Sequence, residues 1–228
     1  MSASLQCTLI IVTSPLNPSR KKHRFGKAWM HEHLSDAYVR EAQRLGYRSR
    51  SAFKLIELAE KDKLFRRGMT VVDLGAAPGS WCQVLKQRLG PQAKIIAVDI
   101  LPMAPLAGVM VVQVDFATDE GLAAVQGALV DARVDLVLSD LAPNLSGIES
   151  VDQARSVHLA ELALEFASHA LQPGGDFVVK VFQGAGLAEF QHAVGERFAK
   201  TYVRKPKASR DRSREVFVVA KQRLGDRA

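Results

Sequence analysis

Cysteine is scarce in this chain. Cys7 and Cys82 are the only two, and neither stands in a spacing that could ligate a metal. A disulfide framework and a zinc site are therefore disfavoured, and a reducing cytosol is the expected setting. Long apolar runs are missing too: none approaches the ~20 residues needed to span a bilayer. The mildly apolar "LQCTLIIVTSPL" at 5–16 has no positive stretch before it and no small-residue cleavage site, so it does not read as a secretory signal. Repeats and low-complexity linkers are absent. So are two nucleotide fingerprints, the dinucleotide G-x-G-x-x-G and the P-loop G-K-[ST].

What remains is an ordinary globular composition, 47% apolar and 24% charged over 228 residues, most simply one large domain. Residues 1–29, with the basic segment "SRKKHRFGK", read as a poorly ordered extension, and 30–225 as a single domain. Lys and Arg number 31 against 24 Asp and Glu, a net charge of +7 with pI ≈ 9.6. That favours a polyanionic partner or an anionic membrane surface, though a merely basic enzyme would look the same.

From residue 30 onward, short apolar runs alternate with helical patterns. Helices over "HLSDAYVREAQRLG", with Ser35 as candidate N-cap, and "SRSAFKLIELAEKDKL" precede the strand "TVVDLG". Then come "KIIAVDI", "VMVVQVDF", "VDLVLSDLA", "GDFVVKVFQ", "KTYVRK" and "EVFVVAK", with helices between most of them. This predicts an α/β fold of Rossmann-like type, a mostly parallel central sheet with helices on both faces. Such sheets bind ligands beyond the carboxyl ends of their strands. There the sequence places Asp73, Asp99, Asp115 and Asp140 at four successive strand ends, with Lys180 late in the fifth.

"DLGAAPGSW" (73–81) is a tight turn between strand and helix, with Gly75 and Gly79 able to adopt positive φ. Ala77 and Ser80 replace two glycines of the dinucleotide pattern. Asp99 ends the next strand, where an acid can hold ribose hydroxyls. A glycine turn and a ribose acid without a pyrophosphate cradle suit an adenosine ligand lacking phosphates, S-adenosylmethionine; other nucleotides or a structural turn are the alternatives. Asp115 would reach the adenine amino group or cap a helix, and Trp81 would be a core residue or a ligand contact.

Lys180 interrupts the buried-strand pattern "FVVKVFQG". Desolvating an unpaired ammonium costs roughly several kcal/mol, so the residue is edge-exposed, paired or functional. A neutral lysine could take the proton from a ribose 2′-hydroxyl attacking a methyl group. Two basic runs stand out. Arg48 and Arg50 precede Lys54, while Arg204, Lys205, Lys207, Arg210, Arg212 and Arg214 precede Glu215. They predict phosphate-binding surfaces with little aromatic stacking, or else solvated faces.

The stretches "YRSRSAFKL", "DKLFRRGMTVVDLGAAPGSW", "IIAVDILPM", "LSDLAPNLSG", "GGDFVVKVFQG" and "VRKPKASRDRSREVFVVA" closely resemble the RrmJ/FtsJ family of ribosomal RNA large subunit methyltransferases, from about His31 to Lys221. The resemblance implies a class I S-adenosylmethionine-dependent methyltransferase that modifies a uridine ribose 2′-hydroxyl in 23S ribosomal RNA. It implies a catalytic tetrad of Lys54, Asp140, Lys180 and Glu215, with Lys180 as proton acceptor. Cofactor contacts would come from Gly79, Trp81, Asp99, Asp115 and Asp140. Ser80, where a glycine is common, and the long N-terminal extension depart from the family pattern. The expected partner is the RNA, within the large subunit; the enzyme would be a cytoplasmic monomer without metal or membrane. Another RNA substrate (transfer RNA or an mRNA cap), a non-catalytic RNA-binding assembly factor and a small-molecule methyltransferase are the competing readings.

Overall fold

The computed structural model describes residues 10–12, 36–129, 133–210 and 212–225. Eight strands form one sheet: β1 (Ile10–Val12), β2 (Thr70–Leu74), β3 (Lys94–Asp99), β4 (Met110–Gln113), β5 (Val134–Ser139), β6 (Leu171–Phe182), β7 (Phe198–Arg204) and β8 (Glu215–Arg223). Their spatial order is β1–β4–β3–β2–β5–β6–β8–β7. All pairings are parallel except those of β8, which runs antiparallel to β6 and β7.

Among the described residues six helices accompany it: α1 (Ala37–Arg44), α2 (Ser51–Asp62), α3 (Ser80–Leu89), α4 (Asp119–Ala128), α5 (Glu149–Ala170) and α6 (Leu187–Gly195). The parallel strands are buried on both faces, which is why they read as continuous β-branched runs. Alternate residues feed two cores. Val72, Leu74, Val137 and Phe177 pack with α4, α5 and α6, whereas Val71, Leu136, Val178 and Phe217 pack with α2 and α3. Each fully buried phenylalanine contributes about 1.5–3 kcal/mol. The expected α/β architecture, helices on both faces of a mostly parallel sheet, is the one observed.

The two differences are local. Ile10–Val12, within the segment expected to be an extension, pairs with Val111–Gln113 at the edge of β4. An unpaired strand edge is a template for any short extended run, and a β-branched "IIV" fits it. The rest of the 1–29 extension lies outside the described residues. The candidate cap Ser35 does too; Asp36 caps α1, accepting from the Tyr38 amide at 2.9 Å.

The order of the strands reverses between β2 and β5, which are direct neighbours. Their carboxyl ends, with those of β3 and β6, converge on one edge. Because β8 runs the other way, its first residue, Glu215, reaches the same edge. No helix among the described residues is long and apolar enough to cross a membrane.

Candidate active site

Side-chain alternation along β6 sends Val178 and Lys180 toward the face covered by α2 and α3. Lys180 is 8% exposed, and it is paired. Its ammonium donates to the Asp140 main-chain carbonyl at 2.8 Å and lies 2.8 Å from Asp140 Oδ1, an ion-pair contact without hydrogen-bond direction. The other carboxylate oxygen accepts from Ser51 Oγ at 3.1 Å. Burial would push the Asp140 carboxyl up. The charges of Lys180 and then Lys54, with the close Lys180 contact and the Ser51 hydrogen bond, outweigh it and hold the group below its ordinary value. Asp140 is therefore an anion held between cations.

Lys54 projects from α2 and pairs with Glu215 at 2.5 Å, both side chains largely shielded from solvent. Its Nζ also lies 5.8 Å from the centroid of the Phe217 ring. Phe217 stands opposite Lys180 in the β6–β8 register, and Glu215 opposite Phe182. Four residues drawn from positions 54 to 215 of the sequence thus form two ion pairs, Lys180–Asp140 and Lys54–Glu215, coupled through the field of Lys54 at Asp140.

Two cavities flank this cluster. A cleft of about 670 Å³ is lined by Gly75, Asp99, Asp115, Phe116, Asp140 and Asn144, among others. Asp99 is oriented by main-chain amides: Ala77 N donates to Oδ2 and Leu101 N to Oδ1, both at 2.8 Å. Asp115 Oδ1 accepts from Ala117 N at 3.0 Å, while Thr118, not Asp115, caps α4. Gly75 has φ +78°, and a Cβ there would come within 2.8 Å of the Leu141 amide nitrogen. Glycine is what lets the β2 turn rest against the end of β5. The second cavity, about 430 Å³, is lined by Arg50, Lys54, Arg210, Arg212, Ser213 and Glu215, with Ser51 also in its wall. The Ser51–Asp140 hydrogen bond joins the walls of the two.

Gly79 and Trp81 stand at the head of α3, outside the lining of the larger cleft. The Trp81 indole is 3% exposed, donates to the Ser51 carbonyl at 2.8 Å and packs beside Phe217. Its ring belongs to the core. Asp73 is fully buried against the Cys82 thiol, at 3.2 Å. Burial raises its carboxyl to about 7; the Cys82 hydrogen bond opposes this, and the charges of Asp140 and Asp99 add to it.

The basic runs are less uniform than the sequence suggests. Arg48 donates to the carbonyls of Pro78, Ala104 and Pro105. Arg50 pairs with Asp36 and donates to the Ala208 carbonyl. Arg204 forms a two-pronged pair with Asp62, Lys205 donates to the Ser213 carbonyl, and Arg214 pairs with Glu149. The side chains of Lys207 and Arg210 have no partner among the described residues. Ser51 was not legible as a site residue: nothing in its spacing announces a hydrogen bond to a carboxylate 89 positions away. No metal-binding group of His, Cys, Asp and Glu occurs among the described residues.

A sequence model described as FtsJ-like methyltransferase matches residues 47–223, a span holding all four residues of the ion-paired cluster. The chain belongs to the FtsJ-like methyltransferase family. It is 58% identical to the ribosomal RNA large subunit methyltransferase E of Azoarcus sp. (strain BH72), covering 87% of this chain and 97% of that one. The protein of the same name from Thiobacillus denitrificans is 54% identical, over 89% and 92% of the two chains. A crystal structure assigned as a ribosomal RNA methyltransferase of Plasmodium falciparum superposes with TM-score 0.71 at 31% identity, covering 78% of this methyltransferase and all of that chain.

Proposed function

We propose that this methyltransferase modifies the 2′-hydroxyl of a uridine ribose in 23S ribosomal RNA, using S-adenosylmethionine, with Lys180 accepting the hydroxyl proton. The observation that carries the reading is the position of the Lys180–Asp140 pair. It stands where a cleft suited to adenosine meets an arginine-lined cavity suited to a nucleic-acid backbone. When bound, S-adenosylmethionine supplies an electrophilic methyl group and leaves as the neutral thioether.

The chain's residues fit that cofactor. The two amides that orient the Asp99 carboxylate leave it lone pairs for the ribose diol. Asp115 and Phe116 line the far part of the cleft for the adenine. Gly79 and Trp81 serve from the first turn of α3 through their main chain, because the indole is committed to the core. Asp140 holds Lys180 in place and faces the positive sulfonium. Lys180, in its neutral form, takes the proton as the ribose oxygen attacks in line, so that positioning supplies much of the rate. Lys54 and Glu215 fix the opposite wall, where the ribose enters. Lys207 and Arg210 offer cations to the RNA backbone.

In the same reading the catalytic domain is residues 30–225, with 1–29 a basic extension from which Ile10–Val12 adds an edge strand to the sheet. It acts as a cytoplasmic monomer, without metal, on RNA in the large ribosomal subunit. The relatives' names, a basic sequence and the arginine-lined cavity support that partner.

The test is transfer of tritiated methyl groups to ribosomal subunits from a strain lacking the enzyme, with mapping of the modified nucleotide. A 2′-O-methylated uridine in the large-subunit RNA is expected. Lys180→Ala should lower the rate by about 10²-fold or more while cofactor affinity stays near the parent value. Full methylation by Lys180→Ala would remove the lysine from the chemistry. Absence of any 2′-O-methyl group would sink the whole reading.

A further inference from the structure

Arg48 lies six residues before Lys54, in a basic run that sequence alone offers to RNA phosphates. Its surroundings say otherwise. Nη1 donates to the Pro78 carbonyl at 3.0 Å and to the Ala104 carbonyl at 2.7 Å, and Nη2 donates to the Pro105 carbonyl at 2.9 Å. Pro78 belongs to the glycine turn between β2 and α3. Ala104 and Pro105 belong to the loop after β3, which begins beside Asp99. One guanidinium therefore spans the two loops that bound the Asp99 end of the cofactor cleft.

The neighbouring atoms are arranged around this span. A Cβ on Gly79 would come within 2.6 Å of Arg48 Nη1 and 2.8 Å of Met103 Sδ, so the glycine leaves the room that the guanidinium occupies. The Arg48 amide donates to Gln83 Oε1 on α3 at 2.8 Å. Ser49 Oγ bonds Ser80 Oγ at 2.8 Å, and the Ser51 carbonyl receives the Trp81 indole. The short segment leading into α2 is thus stitched to the head of α3, and α2 carries Lys54.

We propose that Arg48 is a positioning residue of the cofactor site: it ties the glycine turn to the loop after Asp99 and fixes both relative to the helix bearing Lys54, and it does not bind RNA. The proposal rests on the reading of the cleft as the S-adenosylmethionine site. A planar fork with donors on separate nitrogens can serve three carbonyls on two loops, whereas the compact ammonium of lysine cannot reproduce that spread. Charged hydrogen bonds of this kind, once removed, weaken a site by about tenfold or more.

The experiment titrates S-adenosylmethionine calorimetrically into the parent protein, Arg48→Ala, Arg48→Lys and, as a control, Arg66→Ala. Arg66 pairs with Asp135 at the opposite edge of the sheet. RNA affinity is measured without cofactor across a range of salt, and KM for the cofactor is separated from kcat at saturation. Both Arg48 variants should raise the cofactor Kd and KM tenfold or more, with a smaller fall in kcat. RNA affinity and its salt slope should match the parent's, and Arg66→Ala should leave the cofactor Kd unchanged.

Unchanged cofactor binding with weaker RNA binding and a shallower salt slope would overturn the proposal. So would an equal loss of cofactor affinity in Arg66→Ala. If Arg48→Ala does not fold, Arg48→Lys decides: parent-like cofactor affinity in it overturns the bridge. A wrong choice of cofactor shows differently, as no binding by the parent protein itself.

Discussion

Two acids, the fully buried Asp73 and the half-buried Asp140, stand close enough to feel each other's charge, yet their surroundings drive them apart. Asp140 has two lysines within reach of its field and stays below its ordinary value. Asp73 is fully buried, and desolvation raises its carboxyl from 3.8 to about 7 against the opposing hydrogen bond from the Cys82 thiol. The consequence for stability has a definite sign. Below about pH 4 Asp73 is protonated in both folded and unfolded chains. Between about pH 4 and 7 the unfolded carboxyl ionises while the folded one keeps its proton, so stability falls as pH rises; above 7 the penalty is constant, of the order of 4 kcal/mol. Asp73→Asn, which cannot ionise, removes this slope. Urea unfolding at pH 4.5 and pH 7.5 should show the variant gaining on the parent protein as pH rises, and parallel behaviour of the two would contradict the assignment. The acids at strand ends were legible because parallel strands deliver their carboxyl ends to one edge. Which acid meets a lysine and which a thiol was not, since that depends on the neighbouring element packed against each: strand β6 brings Lys180 to Asp140, and α3 brings Cys82 to Asp73.

At the scale of elements, the contact between the β2 turn and the end of β5 carries the cleft. Gly75 and Gly68 have nearly the same φ, +78° and +76°, but a Cβ on Gly68 would meet nothing within 4 Å. Substituting alanine at Gly68 therefore costs only the left-handed conformation, about 1–2 kcal/mol. At Gly75 the same change also drives a methyl group into the Leu141 backbone. Gly75→Ala should lower the thermal midpoint more than Gly68→Ala and also weaken cofactor binding, which Gly68→Ala should leave alone. Equal midpoints and unchanged affinity in both would show that the close approach is not needed. Strands and helices were readable from "TVVDLG" onward because a sheet buried on both faces leaves a dense apolar signature. The edge strand Ile10–Val12 was not, because three residues carry no period and their pairing comes from β4. Trp81 shows the same limit: the residue type suits a ligand contact as well as a core, and its indole's bond to the Ser51 carbonyl could not be read from the sequence.

Across the whole molecule, a net charge of +7 says that polyanions are attracted but not where they land. Several arginines of the basic runs are spent on carbonyls and carboxylates, as at Arg48, Arg204 and Arg214. Guanidinium partners are chosen in three dimensions, so counting cations along the chain overstates the RNA surface. Lys207 and Arg210 are the better candidates. Arg210→Ala should weaken RNA binding uniformly across sequences and reduce the slope of log K against log salt by about one. An unaltered slope would place the phosphates elsewhere.

The reversed direction of β8 has a temporal meaning as well. Lys54, Asp140 and Lys180 are all synthesised before Glu215, and so is the arginine-bearing loop that precedes it. β7 has no strand partner among the described residues other than β8. Until that last strand slides between β6 and β7, Lys54 lacks its carboxylate and the entrance cavity lacks a wall. On the proposed reading, a nascent chain that lacks β8 would hold most of the cofactor cleft without the Lys54–Glu215 pair.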